Sequence, residues 1–175
     1  MRTTDPLPPL RTAALAGLVL AACAASAAAQ AGMSTDTSAA RIAFERIRSL
    51  EGVWSFHTPA DSGRVTYEVV SNGSAVLEHV VTGEHGAAGM VSVIHLEGGR
   101  LVLQHYCSAA NQPRLVATHF DSDEIVFELD RLGNGTTADG HIAGAVFAFP
   151  AGRTFESRWT WRHGADTTST RRHSR

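Results

Sequence analysis

The sequence RVTYEVVSNGSAVLEHVV, which runs from Arg64 to Val81, alternates apolar and polar residues on both sides of an Asn-Gly pair. Val65, Tyr67 and Val69 share one side of an extended chain, because successive side chains of a strand point to opposite faces. The pair Asn72-Gly73 favours the tight turn of a hairpin. The segment therefore predicts two antiparallel strands joined by a short connection.

Similar alternating segments continue along most of the chain. Turn residues separate them, and helical stretches long enough to connect parallel strands are missing. Closure of such a meander into a barrel leaves no unpaired edge. We therefore predict an all-β, up-and-down antiparallel β-barrel of about nine strands, with a two-sheet sandwich as the alternative. The segments begin at Trp54 and recur at residues 64–71, 75–81, 90–96, 100–108, 114–120, 124–129, 141–149 and 154–162.

One short helix precedes the strands. Apolar residues recur at helical spacing between Ser38 and Leu50, with arginines and a glutamate mostly on the other side. Residues 30–37 are small and polar and are predicted to be a linker. Residues 164–175 are polar and basic, and we expect them to form a disordered tail. The predicted barrel domain therefore covers residues 38–163.

Residues 1–29 have the order of a secretory signal peptide. Arg2 and Arg11 flank a polar start, an apolar run follows at 13–22, and small residues end at Ala29. The run is too short to remain as a membrane-spanning helix. Cleavage after Ala29 would give a periplasmic or secreted protein. Alternatively, Cys23 ends a Leu-Ala-Ala-Cys sequence that resembles a bacterial lipobox, and its lipidation would anchor the protein to the outer membrane.

The composition excludes several classes of function. The chain has 175 residues and a formal net charge of −2, so we expect no nucleic-acid partner. All 15 basic residues are arginines, which excludes chemistry that needs a lysine, such as Schiff-base formation. After cleavage at Ala29, Cys107 would be the only cysteine, so no internal disulfide would form.

The segment LEGVW, at Leu50–Trp54, places a Gly-x-Trp sequence at the start of the first strand. A short helix, then Gly-x-Trp, then a long meander resembles the opening of lipocalin-type (calycin) barrels. The resemblance implies that Trp54 plugs the closed end of the barrel. It also implies that an arginine near the last strand, Arg158 or Arg162, packs over this tryptophan.

A second resemblance is carried by His105-Tyr106-Cys107 and the following segment 111–114, which reads Asn-Gln-Pro-Arg. These residues are similar to part of a family of small exported bacterial proteins. That family has the same helix, Gly-x-Trp start and C-terminal Trp-x-Trp, here Trp159 and Trp161. The resemblance implies the same fold for nearly all of the exported chain and implies no activity.

Three of the nine histidines are candidate ligands for a metal or haem iron. His79, His95 and His105 each alternate with apolar residues on sequential strands, so all three could point into the barrel. Zinc would need three or four such ligands. The alternative is that each ring is half-buried and bonded to backbone or water. We favour this alternative and expect no metal and no cofactor.

A polar loop follows the third of these histidines. Asn111 and Gln112 carry donors and acceptors, and the Arg114 guanidinium suits a carboxylate or phosphate. At a barrel mouth they would form a polar rim around an apolar pocket. In the alternative, the amides satisfy loop backbone groups and Arg114 pairs with an acid on an adjacent strand.

Two residue pairs can be considered for catalysis. Cys107 follows His105 by two residues, which separates their Cβ atoms by ~7 Å and exceeds hydrogen-bond reach. Glu68 and Glu78 lie across the hairpin from each other, and we predict that both face solvent. We therefore assign no catalytic residue.

The first hypothesis is a non-enzymatic exported envelope protein that binds a small, partly apolar ligand inside the barrel. One alternative is a haem protein, metal protein or enzyme that uses the barrel histidines. Another is a structural lipoprotein with a filled barrel. The candidate ligand contacts are Trp54, His79, His105, Tyr106, Asn111, Gln112 and Arg114.

Overall fold

The computed structural model describes residues 37–59, 61–83, 89–150 and 154–174. The predicted signal peptide, Cys23 and the predicted linker up to residue 36 lie outside the described residues. Thr37, assigned above to the linker, is the first residue of the helix.

One helix and ten strands form the described part of the chain. Each strand pairs antiparallel with its neighbour in sequence, and the last strand pairs with the first, so the sheet closes into a barrel. The predicted up-and-down antiparallel barrel is confirmed, with ten strands in place of about nine. The elements are α1 (Thr37–Arg48), β1 (Gly52–His57), β2 (Ser62–Val70), β3 (Ala75–Thr82), β4 (Met90–Glu97), β5 (Arg100–Tyr106), β6 (Gln112–Phe120), β7 (Glu124–Gly133), β8 (His141–Ala148), β9 (Phe155–His163) and β10 (Asp166–Ser174).

The tenth strand is the segment that we expected to be a disordered tail. β10 pairs with β9 along its whole length and meets β1 at two positions, Phe56 opposite Ser174 and His57 opposite His173. The segment is rich in threonine, serine and arginine, so it carries no apolar alternation that would mark a half-buried strand. Backbone pairing with β9 on one side and with β1 on the other therefore holds this segment in the sheet, although its side chains form no apolar face.

The Asn-Gly hairpin is present, with a longer connection than a two-residue turn. Ser71, Asn72 and Gly73 all have positive φ, at 53°, 55° and 83°, and Val70 lies opposite Ala75. Glycine and asparagine tolerate this region best, which explains why the chain reverses here.

The helix packs its apolar face against one end of the barrel, which we call the helix end. Ala43, Phe44 and Ile47 are buried in the same core as the strands. Trp54 lies at this end, where its indole Nε1 donates a hydrogen bond to the Leu50 carbonyl (2.6 Å) and its ring meets Phe155 edge-on. The arrangement is compatible with a calycin-like barrel.

Neither Arg158 nor Arg162 packs over Trp54 as the resemblance implied. Arg158 pairs with Glu124 and Arg162 is exposed. The arginine that lies over a tryptophan is Arg172 on β10, whose guanidinium carbon is 5.8 Å from the centre of the Trp159 ring.

Aromatic side chains fill much of the interior. Tyr67, Phe127, Phe147 and Phe155 are fully buried, and they meet one another edge-on with ring centres 5.6–6.4 Å apart. Edge-to-face contacts of this kind add to the stabilisation that burial provides. Within the ranges described above, no helix has both the length and the apolar character to cross a membrane.

Candidate functional site

A row of polar side chains crosses four neighbouring strands inside the barrel. Tyr67 lies opposite Glu78, Glu78 lies opposite Ser92, and Ser92 lies opposite His105. Directly opposed residues share a face of the sheet, so the four side chains stand side by side. All four are at most 3% exposed. With Trp159 and Arg172, which close over the row from β9 and β10, we call these six residues the interior cluster.

Glu78 overturns one prediction. We placed it on the solvent face with Glu68, but it is 1% exposed, and the inward residues of β3 are Val76, Glu78, Val80 and Thr82. Both faces of β3 carry apolar residues, so alternation did not distinguish the inner face from the outer one.

The three candidate histidines do not lie on the same face of the sheet. His105 points into the barrel, whereas His79 and His95 lie on the strand faces opposite the buried residues of β3 and β4. They therefore do not converge as ligands of one metal or haem iron. Among the described residues, no three or more His, Cys, Asp and Glu side chains are grouped as a metal site.

Hydrogen bonds join the interior cluster in pairs. The Tyr67 hydroxyl donates to Glu78 Oε1 (2.9 Å), and Ser92 Oγ lies 3.0 Å from His105 Nδ1. The His105 ring also lies 5.3 Å from the Trp159 ring. Within the described part of the chain, Glu78 Oε2, His105 Nε2 and Trp159 Nε1 are buried and have no hydrogen-bond partner.

Burial controls the charges of the cluster. It lowers the pKa of His105 to about 4, and the nearby Arg172 charge adds to this effect. Burial raises the pKa of Glu78, while the Ser92 hydroxyl and Arg172 act against that rise. Burial and the Glu78 charge raise the pKa of Tyr67 well above its usual value. At neutral pH the cluster therefore holds a neutral imidazole, a neutral phenol and the Arg172 cation.

A pocket of about 500 Å³ opens at the other end of the barrel from the helix. It lies where the β5–β6 loop, the β7–β8 loop and the end of β9 meet, and we call it the mouth pocket. An indole and small side chains supply its apolar surface, and amide, carboxylate and imidazole groups supply its polar surface. It is lined by Ala109, Ala110, Asn111, Asn134, Gly135, Asp139, Gly140, Trp161 and His163.

Hydrogen bonds tie the two loops of the mouth pocket together. Asn134 Nδ2 donates to the Ala110 carbonyl (2.7 Å), and Asn111 Nδ2 donates to the Gly140 carbonyl (2.8 Å). Ala110 and Asn134 have positive φ values of 60° and 54°. Residues other than glycine adopt this conformation at a cost, so the cross-links hold a strained backbone in place.

Asp139 and Gly140 position the pocket wall. Asp139 Oδ2 accepts hydrogen bonds from the backbone N–H (2.8 Å) and the hydroxyl (3.0 Å) of Thr136, which lower the pKa of its carboxyl. A Cβ on Gly140 would lie only 2.2 Å from Cζ2 of Trp161. Glycine is therefore required for the loop to pack against the indole.

The predicted rim residues have different surroundings. Asn111 lines the mouth pocket, and Gln112 donates to the Ala110 carbonyl (3.4 Å). Arg114 is 5% exposed and forms ion pairs with Asp130 and with Glu97 (2.7 Å). Asp130 lies on the adjacent strand β7, as the alternative interpretation of Arg114 expects, whereas Glu97 lies two strands away on β4. Tyr106 is 48% exposed on β5 and does not line the mouth pocket.

Several residues of these two sites were missed from sequence. Asp139 lies in a loop rich in glycine and threonine, and Arg172 lies in the segment assigned to the tail. Trp161 could have been predicted from the Trp-x-Trp sequence, because Trp159 and Trp161 lie two residues apart on β9 and therefore share the face that points into the barrel.

The chain was compared with known protein families and with curated proteins. No protein-family model and no curated protein matches this chain.

Proposed function

We propose that this protein binds a small, partly apolar molecule in the mouth pocket of its barrel. The observation that carries the proposal is the pocket of about 500 Å³ between the β5–β6 and β7–β8 loops. Small-molecule sites are concave, fall in this range of volume, and combine mainly apolar walls with a few polar groups.

The lining has that composition. Trp161, Ala109 and Ala110 offer an indole and two methyl groups, while Asn111 and Asp139 offer an amide and a carboxylate. An aromatic ring supplies a large contact area, and a few fixed polar groups orient what binds.

The loops of the pocket are preorganised. The bonds from Asn134 to Ala110 and from Asn111 to Gly140 fix the two loops relative to each other before anything binds. A fixed site loses less conformational entropy on binding than a loose one, which improves affinity.

We place the ligand at the mouth because aromatic rings pack against one another deeper in the barrel. The interior cluster would then support the floor beneath Trp161. A structural protein with a filled barrel is the second candidate, and the packed interior is the observation that favours it.

A fragment screen by NMR tests the proposal. A library of small aromatic and aliphatic molecules is added to the ¹⁵N-labelled protein, and amide shifts are followed. We expect hits to shift amides of residues 109–111 and 134–140, and Trp161→Ala to abolish them. Tyr106→Ala is the matched control, because it removes an exposed aromatic ring outside the pocket. Hits that map elsewhere, or none at all, would favour the structural candidate.

We also propose that residues 1–29 direct export. The charged, apolar and small-residue segments in sequence support this. Mass spectrometry of the mature N-terminus distinguishes a soluble product that begins at Gln30 from one that begins at a lipidated Cys23. A product that retains residues 1–29 would contradict both.

A further inference from the structure

We infer that the mouth pocket selects small organic cations, in which an ammonium group is attached to an apolar body. This inference rests on the proposed function, because it names the class of ligand for the same pocket. It depends on two neighbouring groups, a fixed carboxylate and an indole, and on the finding that no arginine is among the described residues that line the pocket.

The carboxylate is Asp139. Its Oδ2 is held by the backbone N–H and hydroxyl of Thr136, and both bonds stabilise the ionised form. The side chain therefore keeps its charge and its position. Among the described residues that line the pocket, Asp139 is the only carboxylate, and none is an arginine. An anionic ligand would be repelled by this carboxylate.

The indole is Trp161, which lies beside the carboxylate along the wall of the pocket. Gly140 follows Asp139 directly and packs against the benzene edge of Trp161, so the two groups are held close together. Tryptophan is the most favourable aromatic partner for a cation. A quaternary or protonated amine can therefore contact the ring and remain within the field of the carboxylate.

The remaining polar groups suit the same ligand. Asn111 Oδ1 is an acceptor with no hydrogen-bond partner among the described residues, while Nδ2 of the same amide donates to the Gly140 carbonyl. His163 also lines the pocket, and both it and His141 attract the Asp139 charge.

The test compares choline with 3,3-dimethyl-1-butanol, the neutral molecule in which carbon replaces the quaternary nitrogen. Both are titrated into the full chain at low ionic strength, with binding followed by NMR. We expect choline to bind at least ~10-fold more tightly, because only the cation gains from the indole and the carboxylate. Asp139→Asn should reduce this preference to the few-fold difference that the indole alone provides. Asp123→Asn, which removes an exposed carboxylate at the helix end, should leave the preference unchanged.

The outcomes separate this inference from the proposed function. Equal binding of the two molecules, or tighter binding of the neutral one, would overturn the cation preference. If Trp161→Ala still abolished that binding, the mouth pocket would remain a small-molecule site. The comparison on the unaltered chain stands even if Asp139→Asn fails to fold. A preference for choline that is undiminished in a folded Asp139→Asn variant would also overturn the role given to this carboxylate.

Discussion

Ser92 and His105 lie directly opposite each other on β4 and β5, with Ser92 Oγ 3.0 Å from His105 Nδ1 inside the barrel. Burial holds the pKa of His105 at about 4, below the usual 6.5. Between these values the unfolded chain takes up a proton on this ring and the folded chain does not. The contribution of His105 to the free energy of unfolding is therefore fully present above pH 6.5 and is lost progressively as the pH falls towards 4.

We predict that acidification from pH 7 to about 4.5 lowers the free energy of unfolding by about 2.5 kcal/mol through His105 alone. Urea unfolding at both pH values measures this loss. Glu78 acts in the opposite direction, because its raised pKa favours the folded state as the pH falls. The comparison with His105→Asn isolates the histidine: the variant should lose less stability than the native chain. An equal loss in both proteins would show that other groups cause it.

The hydrogen bond from Tyr67 to Glu78 gives a second prediction. Tyr67→Phe removes the donor and leaves a buried carboxyl oxygen without its partner, so we expect a loss of about 1–3 kcal/mol. A double-mutant cycle with Glu78→Gln measures the coupling between the two side chains, expected to be about 1 kcal/mol. If the two substitutions were additive, the pair would contribute no coupled stability to the interior cluster.

Substitution of Arg114 tests whether this residue contributes to stability or to ligand binding. Its pairs with Glu97 and Asp130 hold a nearly buried guanidinium, and the hydrogen bond from Arg114 lowers the pKa of the Glu97 carboxyl. We expect Arg114→Ala to lower the urea midpoint of unfolding only modestly, because both carboxylates are substantially exposed and partly screened. Binding at the mouth pocket should be unchanged. A variant of native stability with weakened binding would restore the rim role that the sequence suggested.

The barrel could be predicted from sequence because the hairpin, the turns and the missing crossover helices all pointed to it. The inner face of each strand could not always be predicted. On β5, Leu101 and Leu103 are the apolar residues that alternate with His105 on one face, and all three are buried. On β3, Leu77 and Val81 on the outer face are as apolar as Val76 and Val80 on the inner face. The period of two was therefore correct, whereas its phase was ambiguous.

The candidate site was harder to predict because its members come from distant segments. Asn111 was identified from its own loop, but its partner Gly140 is 29 residues away. Arg172 faces the interior because β10 closes the barrel, and that closure depends on backbone pairing with β9 and β1. Side-chain pattern alone carries no signal for such a strand.

The same dependence gives a final prediction for the C-terminal segment. A chain that ends at Ala165 loses β10, which leaves β1 and β9 with unpaired edges and removes the Arg172 cation from beside Glu78. Unpaired edge strands are unstable and prone to aggregation. We therefore expect the truncated chain to lose cooperative thermal unfolding, as measured by circular dichroism. Arg171→Ala is the control, because Arg171 is exposed on the same strand and should melt close to the native temperature. A truncated chain that still unfolds cooperatively near that temperature would mean that nine strands suffice and that β10 is an accessory strand.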